Sequence, residues 1–167
     1  PNKKEDIEKA RQRMKFEEIF FFELLLAIRQ RKIKFMEKGL VLSPKSKSAR
    51  KLYNSLPFKL TKDQIKVINE ITDDMQSGKP MNRLLQGDVG SGKTIVALLS
   101  ILVAVDNGFQ AALMAPTELL AEQHYHTFSN YLKEFDINVI QLVGGQKKRV
   151  RQDLLEKIAS GEGNIIV

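Results

Sequence analysis

The chain contains no cysteine and only two histidines, His124 and His126. Without thiols there is no disulfide framework and no thiolate metal site, which fits a reducing, cytosolic setting. The two histidines do not make a zinc site by themselves. They stand two positions apart, so a helix points them to different sides, and they read as surface or packing residues. A long apolar run is missing too. The greasiest stretch, "IFFFELLLAI", is about half of what a bilayer span needs and carries Glu23 inside it. The N-terminus "PNKKEDIEKARQRMK" is charged where a signal peptide would be apolar. The expectation is therefore a buried or docked helix and no membrane partner. No internal repeat is visible.

What is present suits one domain with an appendage: 167 residues, 43% of them hydrophobic. That supply of apolar side chains excludes wholesale disorder. The net charge of +7 is unevenly placed. Residues 1–57 hold 15 Lys and Arg against 7 Asp and Glu, and residues 58–167 hold 12 against 13. The basic surplus thus lies in the N-terminal third. It fits either a segment facing nucleic acid or a solvated helix face.

Residues 5 to about 37 lack Pro and Gly and read as one long helix or two abutting ones. Its apolar residues between Ile19 and Ile28 cover nearly every side, so burial from several directions is expected. Gly39 is a candidate stop, "SPKSKSARK" reads as an exposed linker, and the domain boundary is placed near Leu56-Pro57. Beyond it the pattern alternates. Helices are expected over 61–77, 93–107, 117 to about 135, and 147–160. Strands are expected over 83–86, 111–115, 139–143 and 164–167. Such alternation implies a parallel sheet with right-handed crossovers.

Gly87-Asp88-Val89-Gly90-Ser91-Gly92-Lys93-Thr94 matches the pattern G-x-x-x-x-G-K-[ST] in full. It follows an expected strand and opens an expected helix, the context that distinguishes a phosphate loop from a chance Gly-rich turn. Glycines let the backbone wrap closely and reach positive φ, and the following helix turns its positive end to the anion. Lys93 adds a full charge toward the β- and γ-phosphates, and the Thr94 hydroxyl is placed to ligate Mg²⁺. The spacing and the lysine exclude a dinucleotide loop of the GxGxxG kind.

Three further stretches flank the loop. In "FKLTKDQ", Thr61 and Gln64 form a capping box, the reading that the spacing favours; the alternative is that Gln64 reads an adenine edge, since an amide both donates and accepts. In "APTELLAEQHYHTF", Pro116 sets a turn and Thr117 caps a helix whose free N–H groups suit a nucleic-acid phosphate; an ordinary capped helix explains it as well. In "VGGQKKRVR", the pair Gly144-Gly145 admits a close backbone approach, with Lys147, Lys148, Arg149 and Arg151 behind it. A basic helix start is mildly opposed by the helix dipole, which brings a functional reading level with a merely solvated one.

Taken in order, "LPFKLTKDQ", "MNRLLQGDVGSGKT", "ALMAPTELLAEQH" and "LVGGQ" resemble the first motifs of a superfamily 2 DNA motor, and more narrowly of the RecG family of bacterial ATP-dependent branch-migration helicases. "ARQRMKFEEIFFFELLL" resembles the helical connector joining that family's wedge domain to its motor. The transcription-repair coupling translocase and the primosomal restart helicase are relatives that fit less well. The former tends to carry an aromatic residue where Ser91 stands and a second Thr where Glu118 stands. The latter usually departs from "GDVG". The resemblance implies a partial RecA-like P-loop NTPase sheet with flanking helices over 57–167, preceded by a helical arm over 1–56. It implies ATP and Mg²⁺ as cofactors, held by Gln64 and Gly87 to Thr94, with Lys93 and Thr94 catalytic. It makes Pro116, Thr117, Glu118, Gly144 and Gly145 DNA contacts. It implies a cytoplasmic bacterial enzyme acting on forks and Holliday junctions, with a wedge domain and a second motor lobe as its partners in the chain. Rival readings are a nucleotide-binding module without turnover and a non-motor P-loop kinase or transporter subunit.

The sequence ends at "NIIV". In RecG-like proteins another DNA-contacting motif and the Walker B Asp-Glu pair follow. Phosphoryl transfer needs a carboxylate for Mg²⁺ and a group to orient water. The expectation is a fragment that holds nucleotide weakly and does not turn it over, and that is prone to aggregate through an open sheet edge and the Phe-rich helix.

Overall fold

The computed structural model describes residues 4–36 and 38–167. It divides into two units, residues 1–39 and 40–167. The first contains α1, Lys4–Met36, a single uninterrupted helix. Residue 37, where the sequence reading ends the helix, lies outside the described residues. Helix-favouring Glu, Lys, Arg and Leu and the lack of Pro and Gly account for its length. Arg13 Nε donates to Glu17 Oε1 at 2.7 Å, one turn on, and Phe16 stacks on Phe20 at 5.6 Å. Phe20, Phe21, Phe22 and Leu25 of its apolar belt are all exposed, so the burial from several directions that such a belt calls for is not supplied within the first unit.

The second unit opens at Leu40 rather than at the expected Pro57. The reason is a helix that the sequence reading passed over as linker: α2, Lys47–Ser55, capped by the Ser46 hydroxyl. Its Leu52 is sealed in the core. The segment before it is clamped to the end of α4, Lys93–Asp106. Asp106 accepts from the Ser46 hydroxyl at 2.7 Å, the Ser48 N–H at 2.8 Å and the Ser48 hydroxyl at 2.6 Å. Asn107 exchanges two bonds with the Ser43 backbone, at 2.8 and 2.9 Å. Burial pushes the Asp106 carboxyl up, but the Ser48 and Ser46 donors outweigh it and hold the group below its ordinary value.

Helix α3, Lys62–Gln76, starts from the expected capping box, with both reciprocal bonds formed. Helix α4 is apolar on most sides and is the centre of the core: Leu98 and Leu102 have no exposed surface. Burying each such side chain stabilises by about 1.5–3 kcal/mol. Beyond α4 come β1, Ala111–Ala112, α5, Glu118–Tyr131, β2, Val139–Ile140, α6, Lys148–Ala159, and β3, Ile165–Ile166. The strands form a parallel sheet in the order β1-β3-β2. Single bonds prolong the ladder, from Leu113 N to Ile166 O at 2.8 Å and from Leu142 N to Val167 O at 2.7 Å. The central strand is the most enclosed, with Ile165 fully buried, as a parallel strand covered on both faces should be.

One expected strand is absent. Residues 83–86 form no strand, and Leu84 is exposed. A strand exists only with a partner for its N–H and C=O groups, and no described segment lies alongside this one. Arg83 holds it instead, donating to Asp74 Oδ2 at 2.9 Å and Glu70 Oε2 at 2.6 Å on α3. The expected helix 117–135 also ends earlier: Leu132 closes α5 by donating its N–H to the Phe128 carbonyl at 2.9 Å. Among the described residues no helix is long and apolar enough to cross a membrane.

Candidate functional site

The loop 87–94 is built by its glycines. Gly90 and Gly92 adopt φ of 80° and 79°, the left-handed region that an L side chain resists. At Gly87 a Cβ would stand 2.7 Å from Ser91 Oγ, and at Gly92 it would run into Gln64 Nε2. Only glycine lets the loop fold this closely on itself. Ser91 N–H donates to the Asp88 carbonyl at 3.1 Å, making the turn, and Val89 stands fully exposed at its tip. Gly92 is the N-cap of α4 and offers no side-chain cap; in the first turn the Ile95 N–H donates back to the Gly92 carbonyl at 3.1 Å. The Lys93 ammonium reaches back across the loop and donates to the Gly87 and Asp88 carbonyls, each at 2.8 Å.

Gln64 ties this loop to α3. Its Oε1 accepts from Thr61 N–H at 2.8 Å, and its Nε2 donates to the Ser91 carbonyl at 2.9 Å. The capping reading of Gln64 is therefore realised. One Nε2 hydrogen and one Oε1 lone pair stay available for a further partner. Gln64, Asp63, Gly87, Asp88, Ser91 and Lys93 line one cavity of about 350 Å³. Thr94 does not join them; it borders a separate hollow of about 140 Å³ with Phe58, Ile95 and Tyr131.

A second group of expected residues meets at the C-terminal ends of the strands, where open parallel sheets bind ligands. Pro116, Thr117, Glu118 and Gly144 line a cavity of about 410 Å³. Thr117 caps α5, its hydroxyl accepting from Leu120 N–H at 3.3 Å. Gly145 takes φ of 66° and completes the turn, but does not line the cavity. Helix α6 follows with no side-chain cap and no acidic residue in its first turn. Lys148 and Arg149 occupy that turn, and Arg151 donates to the Val143 carbonyl at 3.1 Å. The two histidines stay outside both cavities: His124 packs near Phe128, and His126 lies 3.7 Å from Glu122.

Residues 61–167, from the cap of α3 onward, match the DEAD/DEAH box helicase family. The chain belongs to that family. It is 47% identical over its whole length to the ATP-dependent DNA helicase RecG of Borreliella burgdorferi, covering 24% of that protein. It is 43% identical to RecG of Aquifex aeolicus over 93% of its own length and 19% of the relative's. The solved structure of RecG bound to a three-way DNA junction superposes with a TM-score of 0.86 at 41% identity, covering 96% of this chain and 22% of that one. The chain thus spans about a fifth to a quarter of the length of these relatives. The fold is the RecA-like lobe of the helicase family, as the motif order led one to expect.

A helicase of this family spends ATP, and Mg²⁺ accompanies the triphosphate. Mg²⁺ takes six oxygen ligands and keeps several waters. Among the described residues no three His, Cys, Asp or Glu side chains gather where they could hold a metal. Two features of the helicase lobe escaped the sequence reading. One is the Asp106–Ser46–Ser48 clamp, whose partners lie some sixty positions apart. The other is Gln146, whose Oε1 is the one buried side-chain oxygen without a partner among the described residues. Its place in "LVGGQ", directly after the glycine pair, was the only signal for it.

Proposed function

We propose that this chain is the nucleotide-cradling part of a RecG-like, ATP-dependent DNA helicase acting on branched DNA in the bacterial cytoplasm. The single observation that carries this is the loop 87–94, with Lys93 folded over its own carbonyls and Gln64 bonded to it. In this reading Lys93 exchanges the Gly87 and Asp88 carbonyls for phosphate oxygens. The first turn of α4 adds its N–H groups and its dipole. Gln64 reads the adenine edge with its spare hydrogen and lone pair while still holding Ser91. Thr94 supplies the protein's ligand to the Mg²⁺ of the bound triphosphate. Pro116, Thr117, Glu118, Gly144 and Gly145 border the DNA backbone. In the whole protein, the wedge domain and the second motor lobe join this part to regress forks and migrate Holliday junctions. On its own the chain binds nucleotide and does not turn it over: phosphoryl transfer needs a carboxylate on Mg²⁺ and a group that orients water, and of the two carboxylates that line the cavity, Asp63 stands in the first turn of α3 and Asp88 belongs to the phosphate loop itself.

The test measures ATP binding and ATP hydrolysis by this chain, with and without a three-way DNA junction, against Lys93→Ala. Binding lost in Lys93→Ala, with no turnover in either protein, is the expected result. If nucleotide binds equally well without the lysine, the cradle reading fails. If turnover is DNA-stimulated and needs Lys93, the chain has its own activating carboxylate and the claim of inactivity fails.

A further inference from the structure

The cavity at the strand ends contains a charge that does not suit a phosphate. Glu118 stands in the first turn of α5, where the positive helix end favours a carboxylate. Its Oε1 lies over Gly144, so close that a Cβ there would stand 2.6 Å away. Among the described residues the carboxylate takes no hydrogen bond and no ion pair. The cations of α6 and its approach leave it alone: Arg151 serves the Val143 carbonyl, and Lys157 lies 3.5 Å from Glu162. The side chain is exposed and free to swing. The bare surface of Gly144 is therefore covered by an unneutralised anion. Any strand seeking the glycine turn and the cap of α5 meets this carboxylate first.

We infer that Glu118 is the residue that sets how selectively this cradle accepts a nucleic-acid backbone. The inference rests on the reading of Pro116, Thr117, Gly144 and Gly145 as a DNA interface. With the carboxylate over Gly144, an isolated phosphate is repelled. A strand displaces it only when Lys147, Lys148 and Arg149 hold that strand at the same time. Glu118 is thus a specificity-determining residue that opposes binding, and the basic start of α6 is the counterweight.

The variant Glu118→Gln keeps the shape and removes the charge. One like-charge pair about 4 Å apart in water corresponds to a change of about fivefold in affinity. The experiment is fluorescence anisotropy of this chain with a labelled three-way junction and a labelled linear duplex at low and physiological salt, with melting curves in parallel. Glu118→Gln is expected to tighten binding about fivefold at low salt and less at the higher salt, as screening removes the repulsion. Glu118→Asp, which keeps the charge on a shorter arm, is expected between the two. A purely structural Glu118 would act otherwise: the amide would lower the melting temperature and leave DNA affinity unchanged. Unchanged or weaker binding by Glu118→Gln overturns the inference and leaves the interface standing. If neither the parent chain nor the variant binds DNA even at low salt, the interface reading falls and the inference with it.

Discussion

Helix α4 and the stretch 19–28 of α1 are both apolar on most sides, and they end in opposite environments. In α4, Leu98 and Leu102 are completely enclosed by α2, α3 and the sheet side of the core. In α1, Phe21 is 59% exposed and Phe22 61%. The difference is not one of hydrophobicity. Helix α4 has the phosphate loop at one end, the Asp106 and Asn107 clamps at the other, and neighbours along its length. Within its own unit, helix α1 is held by local contacts such as an i,i+4 ion pair and stacked phenylalanines. Such local pairs contribute a few tenths of a kilocalorie per mole, far less than burial of one leucine. An apolar helix is therefore a demand for partners, and the supply decides its stability.

The sharpest way to break the comparison is to cut the supply at α4. Leu98→Ala leaves a cavity where nothing is exposed, and about 2–5 kcal/mol of stability should be lost, read as a lowered urea midpoint by circular dichroism. A loss below one kilocalorie would mean that the core collapses into the space. Lys93→Ala attacks the functional end of the same helix. It removes a charge-assisted contact of about 1.5–3 kcal/mol to the phosphates, so ATP affinity should drop tenfold or more in a fluorescent-nucleotide titration. The melting point without nucleotide should barely move.

The opposite end of α4 is tested by Asp106→Ala. The clamp involves hydrogen bonds to a charged group, discounted for exposure, so the expected cost is about 1–2 kcal/mol. Its pH dependence has a definite sign. The folded carboxyl is held below its unfolded value, so its contribution is fully present above about pH 4 and is lost as pH falls through the depressed folded value. Stability profiles of the parent and Asp106→Ala should therefore converge toward acid; parallel profiles would place the effect elsewhere. The smallest effect is expected in α1, where Phe22→Ser should change stability by no more than about 0.5 kcal/mol. Its readout is solubility, because an exposed phenylalanine belt promotes association. A large destabilisation by Phe22→Ser would overturn the reading of that side chain as exposed.

Much of the site was legible because it is written in short-range chemistry. The glycine spacing of 87–94, the Thr61–Gln64 box and the Thr117 cap each act within a few residues, so their residue types suffice to locate them. The strands at 111–115, 139–143 and 164–167 were legible as apolar runs between turns, although their regular cores are shorter. The linker was misread because Ser, Lys and Pro are typical of exposed connections. What orders it is Asp106 and Asn107, far along the chain. The missing strand at 83–86 failed for a related reason: "RLLQ" has the pattern of a strand and no described partner.

The sequence by itself determined the glycine-built loop at 87–94, where α1 and α3 to α6 begin, and that a parallel sheet lies among them. Tertiary structure alone decided which apolar helix is enclosed, that a linker became a clamp on the far end of the phosphate-loop helix, and that Glu118 lies across Gly144. The physical reason is range. Caps, turns and periodicity are set by neighbours within one turn of chain, whereas burial, strand pairing and the approach of a carboxylate to a glycine are relations between distant segments that exist only once both are in place.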